Sequence, residues 1–498
     1  MESRLMKSFS KTVLIALLGL LAVMSRADQR PNIIFAIADD WGWPHASVYG
    51  DPVVKTPAFD RIAKEGILFE HAYISSPSCT PSRNAILTGQ YHWRLGYGGN
   101  LWSILDTWHM TYPHVLAKAG YHTGHWRKSY GPGRLDGWDT HPAGEVSGDF
   151  EKFLKNRPKD RPFCFWFGAS DPHRPYTAGS GKAKGMDLSK IKLFAHYPDS
   201  ETVRSDVADY YFEVERWDGD VEKVLDLLDR EGLAENTIIV MTGDHGMPFP
   251  RCKGNLYDSG ARVPMAVRWP KGIRKPGRVV TDFVSTTDLA PTFLDVAGVP
   301  VPSAMTGRSW GNIFASTMGG RVDSSRSYVL TGKERHVAAQ EDPDGGGTPM
   351  RAIRNDDLLL IRNFRPDRWP AGTPNWQSGF IPGAWLADCD NGPTKTYMVD
   401  NRDRDDEYRF KYELAFGKRP EFELYDLKKD PDQLRNVADQ KEYQTVLKDL
   451  NRQLEADLKA TDDPRILGRG QEVFDDTKYL GGAPLHPDAP KTKKKTKK

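Results

Sequence analysis

The sequence predicts an α/β protein: a parallel-rich sheet flanked by helices, followed by a smaller C-terminal α+β domain. Three observations carry this. Short unbroken apolar runs at Asn32–Ala38, Phe163–Phe167 and Thr237–Met241 have the texture of strands buried on both faces. Helical patterns lie between and after them, as the crossovers of a parallel sheet require. Each run is followed at once by charged or imidazole side chains, where ligands of such sheets bind.

The elements follow in order. Arg4, Lys7 and Lys11 make a basic head, Val13–Met24 is an apolar or small run, and Ser25-Arg26-Ala27 places small residues at −3 and −1 of a cleavage site. This predicts a secretory signal over residues 1–27 and a periplasmic or secreted protein. The run is short of the roughly 20 residues of a membrane span, so no span is expected in the mature chain. Asn32–Ala38 is the first strand and ends in Asp39-Asp40. Thr56 as N-cap and Pro57 as first helical residue open a helix toward Gly66. Phe163–Phe167 is the second strand, ahead of His173, and Val207–Leu228 is a long helix with apolar spacing of three and four. Thr237–Met241 is the third strand, ahead of Asp244-His245-Gly246, and Thr287-Asp288 caps a helix ending at Gly298. Past about residue 345 the texture changes. Leu358–Ile361 and Phe422–Leu427 are strand-like, and Tyr443–Leu458 is an amphipathic helix. The expected organisation is a catalytic domain over 28–345, an α+β subdomain over 346–475, and a disordered Lys-rich tail over 476–498.

The composition suits this plan. A chain of 498 residues exceeds a single core, and 39% hydrophobic residues with 45 Gly excludes disorder, collagen and a polytopic membrane protein. Four Cys are too few for a disulfide scaffold. Cys164 lies in a strand and reads as core; Cys252 and Cys389 are left as a possible pair. Without residues 1–27 and the Lys block 491–498, the body holds 59 basic against 66 acidic residues, net −7. That sign does not suit nucleic acid.

The chemistry gathers after the strands. Asp39, Asp40, His173, Asp244 and His245 meeting there suggest a divalent cation with oxygen ligands, Ca²⁺ or Mg²⁺ more than Zn²⁺. Taken alone, Asp39-Asp40 reads equally as a cap or turn, although adjacent carboxylates repel unless a cation holds them. The most specific motif is Cys79-Thr80-Pro81-Ser82-Arg83 followed by Leu87-Thr88-Gly89.

That motif resembles the type I sulfatase signature, Cys-x-Pro-Ser-Arg followed by Leu-Thr-Gly. The resemblance runs over most of residues 30–470 and implies an alkaline-phosphatase-like fold. In that family the Cys is converted to formylglycine (3-oxoalanine) by a formylglycine-generating or maturase enzyme before folding is complete, and the aldehyde hydrate is the nucleophile. By that resemblance Asp39, Asp40, Asp244 and His245 match the metal ligands, with modified Cys79 alongside; the family often has Asn where His245 stands. Arg83 matches the residue that holds this cluster, and Lys128, His173 and Lys253 match the sulfate-binding cations. One position departs. Tyr130 stands where the family has a His that orients the formylglycine hydroxyl and acts as base in its collapse. Tyr is a poor base near neutral pH, which leaves nearby His125 as a candidate.

The run Met247-Pro248-Phe249-Pro250 with Asn255-Leu256-Tyr257 is similar to the heparan N-sulfatase (N-sulfoglucosamine sulfohydrolase) branch, whose bacterial relatives also act on algal polysaccharides such as ulvan. The resemblance implies a sulfated saccharide substrate. Trp93, Arg94 and Trp102, with the stretch Arg365–Trp385, are the candidate sugar contacts, although each Trp reads equally as packing. Two other readings stay open: a phosphonate monoester or phosphodiester hydrolase of the same superfamily, and a non-catalytic protein that binds sulfated glycans.

Overall fold

The computed structural model describes residues 30–490. The expected export signal and the Lys block 491–498 lie outside them. Among the described residues, no helix is long and apolar enough to cross a membrane.

An eight-stranded sheet forms the centre, in the order β4-β3-β5-β1-β6-β7-β2-β8. The strands are β1 (Asn32–Ala38), β2 (Ile67–Tyr73), β3 (His122–Trp126), β4 (Glu145–Val146), β5 (Phe163–Gly168), β6 (Thr237–Gly243), β7 (Met265–Arg268) and β8 (Arg278–Ser285). All run one way except β7, which is antiparallel to both its neighbours. The three strands expected from the apolar runs are β1, β5 and β6, and they lie side by side at the middle. Their residues alternate between two buried faces. Ile34, Ala36 and Ala38 join one core with the helix residues Trp217, Leu225 and Leu228; Ile33, Phe35 and Ile37 join the other with Phe293 and Leu294. That double burial is why these strands read as continuous rather than alternating.

The helices that matter are α1 (Pro57–Lys64), α2 (Cys79–Thr88), α3 (Glu201–Arg230), α4 (Leu289–Val296) and α5 (Gln444–Ala460). Thr56 sits at the N-cap of α1 but does not cap it with its side chain. Asp218 of α3 does so instead, accepting the N–H groups of Ala58 and Phe59 at 2.9 Å each. Ahead of α4 a capping box joins Ser285 and Asp288 around the turn Thr286–Asp288, two residues before the expected Thr287.

A second, antiparallel sheet has the order β12-β11-β10-β9, with β9 (Tyr328–Lys333), β10 (Met350–Asn355), β11 (Leu358–Asn363) and β12 (Phe422–Asp426). Leu450, Leu454 and Leu458 of α5 pack on it against Leu330, Ile353, Leu360 and Leu424. Because β9 belongs to this sheet, the architecture changes nearer residue 328 than the 345 read from texture. Residues 476–490, expected to be part of a disordered tail, are docked. Tyr97 donates to the Asp476 carboxylate, Arg335 donates to the Tyr479 carbonyl at 3.1 Å, and the His486 ring stacks on Trp376 and meets Trp385 edge-on. Aromatic and guanidinium contacts hold this segment in place despite its polar composition. Cys164 is core, and Cys252 and Cys389 are free thiols, the former with its sulfur 3.0 Å from the Tyr197 hydroxyl.

Candidate active site

Five strands deliver side chains to one place at their carboxyl ends: β1 gives Asp39 and Asp40, β6 gives Asp244 and His245, β5 leads to His173, β3 to Lys128, and β2 to α2 with Cys79 at its first position. A continuing strand would send Asp39 and Asp40 to opposite faces. Asp40 instead takes φ +70°, the left-handed region that Asp tolerates better than most residues. Both carboxylates thereby enter one cluster. Its N–H donates to Asp244 Oδ1 at 2.9 Å, tying the two acid pairs together.

Arg83 is the hub. Its side chain is fully buried, with Nε donating to Asp244 Oδ2 at 2.8 Å, one terminal nitrogen to the Lys128 carbonyl at 2.9 Å and the other to Asp39 Oδ1 at 3.3 Å. Lys128 Nζ lies 2.6 Å from both oxygens of Asp39. The Lys128 carbonyl is reached because residue 168 is Gly; a Cβ there would come within 1.7 Å of that oxygen. Burial raises the Asp39 pKa, but Lys128 first, then His173, Arg83 and Lys253, outweigh it and hold the carboxyl well below its usual range. Lys253 Nζ bridges Asp40 Oδ2 and Asp390 Oδ2, 2.9 Å from each. Burial opposes its charge, yet Asp390 and Asp40 keep it protonated well above the usual range. His173 Nε2 lies 3.9 Å from Asp40 Oδ2, and its Nδ1 faces the Arg174 carbonyl.

The donor set suits a divalent cation. Asp39, Cys79, Asp244 and His245 have ligand atoms within 4.8 Å of one another. Asp40 Oδ1 is buried and has no hydrogen-bond partner, and lies 3.2 Å from His245 Nε2. His245 Nδ1 faces the Gly246 carbonyl at 3.0 Å, so it carries the hydrogen there. The Nε2 lone pair is thereby turned toward Asp40 Oδ1, Asp244 Oδ1 at 3.6 Å and Cys79 Sγ at 3.4 Å. An unpartnered carboxylate oxygen and an imidazole lone pair facing acidic groups fit a cation of the Ca²⁺ or Mg²⁺ class.

The sugar-contact expectations divide. Trp102 is partly exposed, lies under the Gly481 backbone, and follows Leu101, which packs in one cluster with Cys79. Trp93 is buried, stacks on Tyr91 and donates its indole N–H to the Thr461 carbonyl, so it is a core residue and not a sugar contact. Arg94 pairs with Asp462 at 2.9 Å beside the far end of α2, where Thr88 lies about 13 Å along the helix from Cys79. It is therefore removed from the cluster. Trp385, in the stretch to which sugar contact was assigned, is buried under Lys395. His125 is also removed: its Nδ1 faces the Gly144 carbonyl at 2.9 Å and its ring stacks on His141. Tyr130 spends its hydroxyl on backbone, accepting from Leu105 N and facing the Ser103 and Arg134 carbonyls.

Two residues were not found from sequence. Asp390 follows an irregular segment, and only its approach to Lys253 reveals it. His336 follows β9; its Nδ1 lies 2.8 Å from Ser78 Oγ, directly before Cys79. Neither belongs to a motif or a periodic pattern.

Carboxylates, cations and one cysteine thus meet at the carboxyl ends of a parallel-rich sheet, the place where α/β enzymes hold their ligands. The sulfatase family model matches residues 31–299, and the chain belongs to that family of sulfuric ester hydrolases. It is 27% identical over 504 residues to an ulvan-active sulfatase of Formosa agariphila, covering 89% of this chain and 77% of that protein. It is also 27% identical over 505 residues to the human N-sulphoglucosamine sulphohydrolase, covering 90% and 94%. The fold matches the solved structure of BT4656 in complex with its substrate D-glucosamine-2-N,6-O-disulfate, with TM-score 0.62 and 23% identity over 87% of this chain and 98% of that one.

Proposed function

We propose that this sulfatase is an exported enzyme that removes sulfate from saccharides, using formylglycine at position 79 and a divalent cation. The observation that carries the reading is the charge pattern around Cys79. Asp39, Asp40, Asp244 and Asp390 face three fixed cations, Arg83, Lys128 and Lys253. One net negative charge remains, and a divalent cation reverses it to the sign that holds a sulfate ester anion. Position 79, once converted, supplies a hydrated aldehyde as nucleophile, and the cation held by Asp39, Asp40, Asp244 and His245 supplies charge neutralisation at the sulfate oxygens.

The chain's own groups support the remaining steps. Lys128, Lys253 and His173 ring the space beside Cys79 and can hold the peripheral sulfate oxygens, where negative charge spreads in the transition state. Lys253 stays protonated and is able to donate toward the leaving oxygen or nitrogen. Arg83 holds Asp244, Asp39 and the Lys128 backbone in fixed relation. Cys79 is 2% exposed and every residue of α2 is buried, which favours conversion before folding closes the motif. Glycan substrates are supported by the ulvan-active and N-sulphoglucosamine relatives, and export by the residue 1–27 pattern.

The test is sulfate release by protein matured with a formylglycine-generating enzyme, with Cys79→Ala as blank. The panel holds N-sulfoglucosamine, O-sulfated glucosamines, ulvan and carrageenan oligosaccharides, an aryl sulfate and an aryl phosphodiester. The expected result is release from at least one sulfated sugar and a Cys79 peptide about 18 Da lighter than the thiol form. Turnover of the phosphodiester alone overturns the reading.

A further inference from the structure

Tyr130 removes from this chain the imidazole that the sulfatase resemblance leads one to expect beside the nucleophile, and the structure brings another into the neighbourhood. His336 lies in the segment after β9, a part of the chain remote in sequence from the Cys79 motif. Its ring is buried, and Nδ1 stands 2.8 Å from Ser78 Oγ. Ser78 occupies the N-cap position of α2, where a serine hydroxyl ordinarily bonds its own helix, yet it makes no such cap. Its oxygen faces His336 Nδ1 instead. The next residue, Val337, packs in one cluster with Cys79, Leu101 and Ala387. The ring lies near the charges of Lys253, Asp390 and Lys333. Among the described residues Nε2 has no hydrogen-bond partner.

We propose that His336 takes the place of the missing histidine as the base that releases sulfate from position 79. This rests on the formylglycine reading above. With Nδ1–H donated to Ser78 Oγ, Nε2 carries the lone pair. After sulfate has been transferred to one hydroxyl of the hydrate, Nε2 accepts the proton of the other. The C=O bond forms, the C–O bond to sulfate breaks, and its electron pair leaves on sulfate; the proton passes from His336 to solvent before the aldehyde is rehydrated. Burial first, with Lys253 next, holds His336 well below the usual imidazole range, so the resting ring is neutral. Ser78 is a positioning residue in this scheme.

The experiment uses matured full-length enzyme and an aryl sulfate, whose leaving group needs no acid. His336→Gln and His336→Asn are compared with Tyr130→Phe and Ser78→Ala, each checked for a cooperative melt and for formylglycine content. The expected result for both His336 variants is a fall in kcat of about 100-fold or more, the range of general base catalysis, with KM not raised. Rapid quench and intact mass should find the enzyme about 80 Da heavier than its hydrate, or about 98 Da heavier than its aldehyde form, with the gain on the position 79 peptide. Tyr130→Phe should show neither effect, and Ser78→Ala a smaller form of both. An unchanged kcat, or a raised KM with no mass gain, overturns the proposal. Should wild type release no sulfate from any substrate, the functional reading fails first, and that outcome is told apart by the wild-type control.

Discussion

Arg83 shows how much of the site hangs on one side chain. It is enclosed with Asp39 and Asp244, themselves at most 3% exposed at the side chain, and it alone spans them and the Lys128 backbone. Removing it leaves two buried carboxylates facing each other. Breaking a buried ion pair by deleting one partner costs about 3–5 kcal/mol. Arg83→Ala should lower the unfolding free energy measured in urea by that amount, and Arg83→Lys should recover part of the stability without the forked contacts. The same crowding of carboxylates predicts the effect of a chelator. Stripping divalent ions should abolish turnover and lower the melting temperature, and Ca²⁺ or Mg²⁺ should restore both; turnover that survives exhaustive chelation contradicts the cation reading.

At the scale of elements, the site depends on where strands end and how closely they pass. Gly168 closes β5 with Lys128 O in the space a Cβ would need. Gly168→Ala must displace the Lys128 backbone, and with it the ammonium on Asp39. Overpacking of this kind costs about 1–3 kcal/mol, and here activity should fall further than stability, as kcat against the urea midpoint will show. Trp93→Ala should do the reverse, with a loss of about 3–5 kcal/mol from the α5 core and KM for saccharides unchanged. The contrast marks what the sequence makes legible. β1, β5 and β6 are readable because burial on both faces leaves unbroken apolar runs, and the acids are readable because they follow those runs. The cysteine motif is readable because its chemistry fixes residue types at short range. Trp93 stays ambiguous in the sequence because an aromatic in a polar loop looks the same whether it faces solvent or the second sheet. Asp390 and His336 carry no local pattern, since only tertiary closure brings them to Lys253 and Ser78. The docking of residues 476–490 is hidden for the same reason.

Across the whole molecule, packing has taken many imidazoles out of water, and this sets how the fold responds to acid. His71 and His141 are lowered to about 3 and His109 to about 4, burial being the largest cause in each; His92 and His196 are held well below the usual range, again first by burial. In the unfolded chain each returns to about 6.5. Between pH 6.5 and 4 the unfolded state therefore binds protons that the folded state refuses. The sign follows from linkage: stability rises with pH wherever the unfolded state holds more protons, so here it falls as pH falls. The contribution of these groups is complete above pH 6.5 and is lost progressively toward pH 4. Each proton taken up only on unfolding adds about 1.4 kcal/mol per pH unit to the slope. Urea unfolding measured from pH 8 to pH 4.5 should show a plateau above neutrality and then a decline steeper than one proton can produce. Replacing His109, which has both ring nitrogens buried and unpartnered, by Leu should flatten that decline by about one proton while raising the midpoint at pH 5. A decline of unchanged steepness in that variant removes His109 from the groups that set the acid sensitivity.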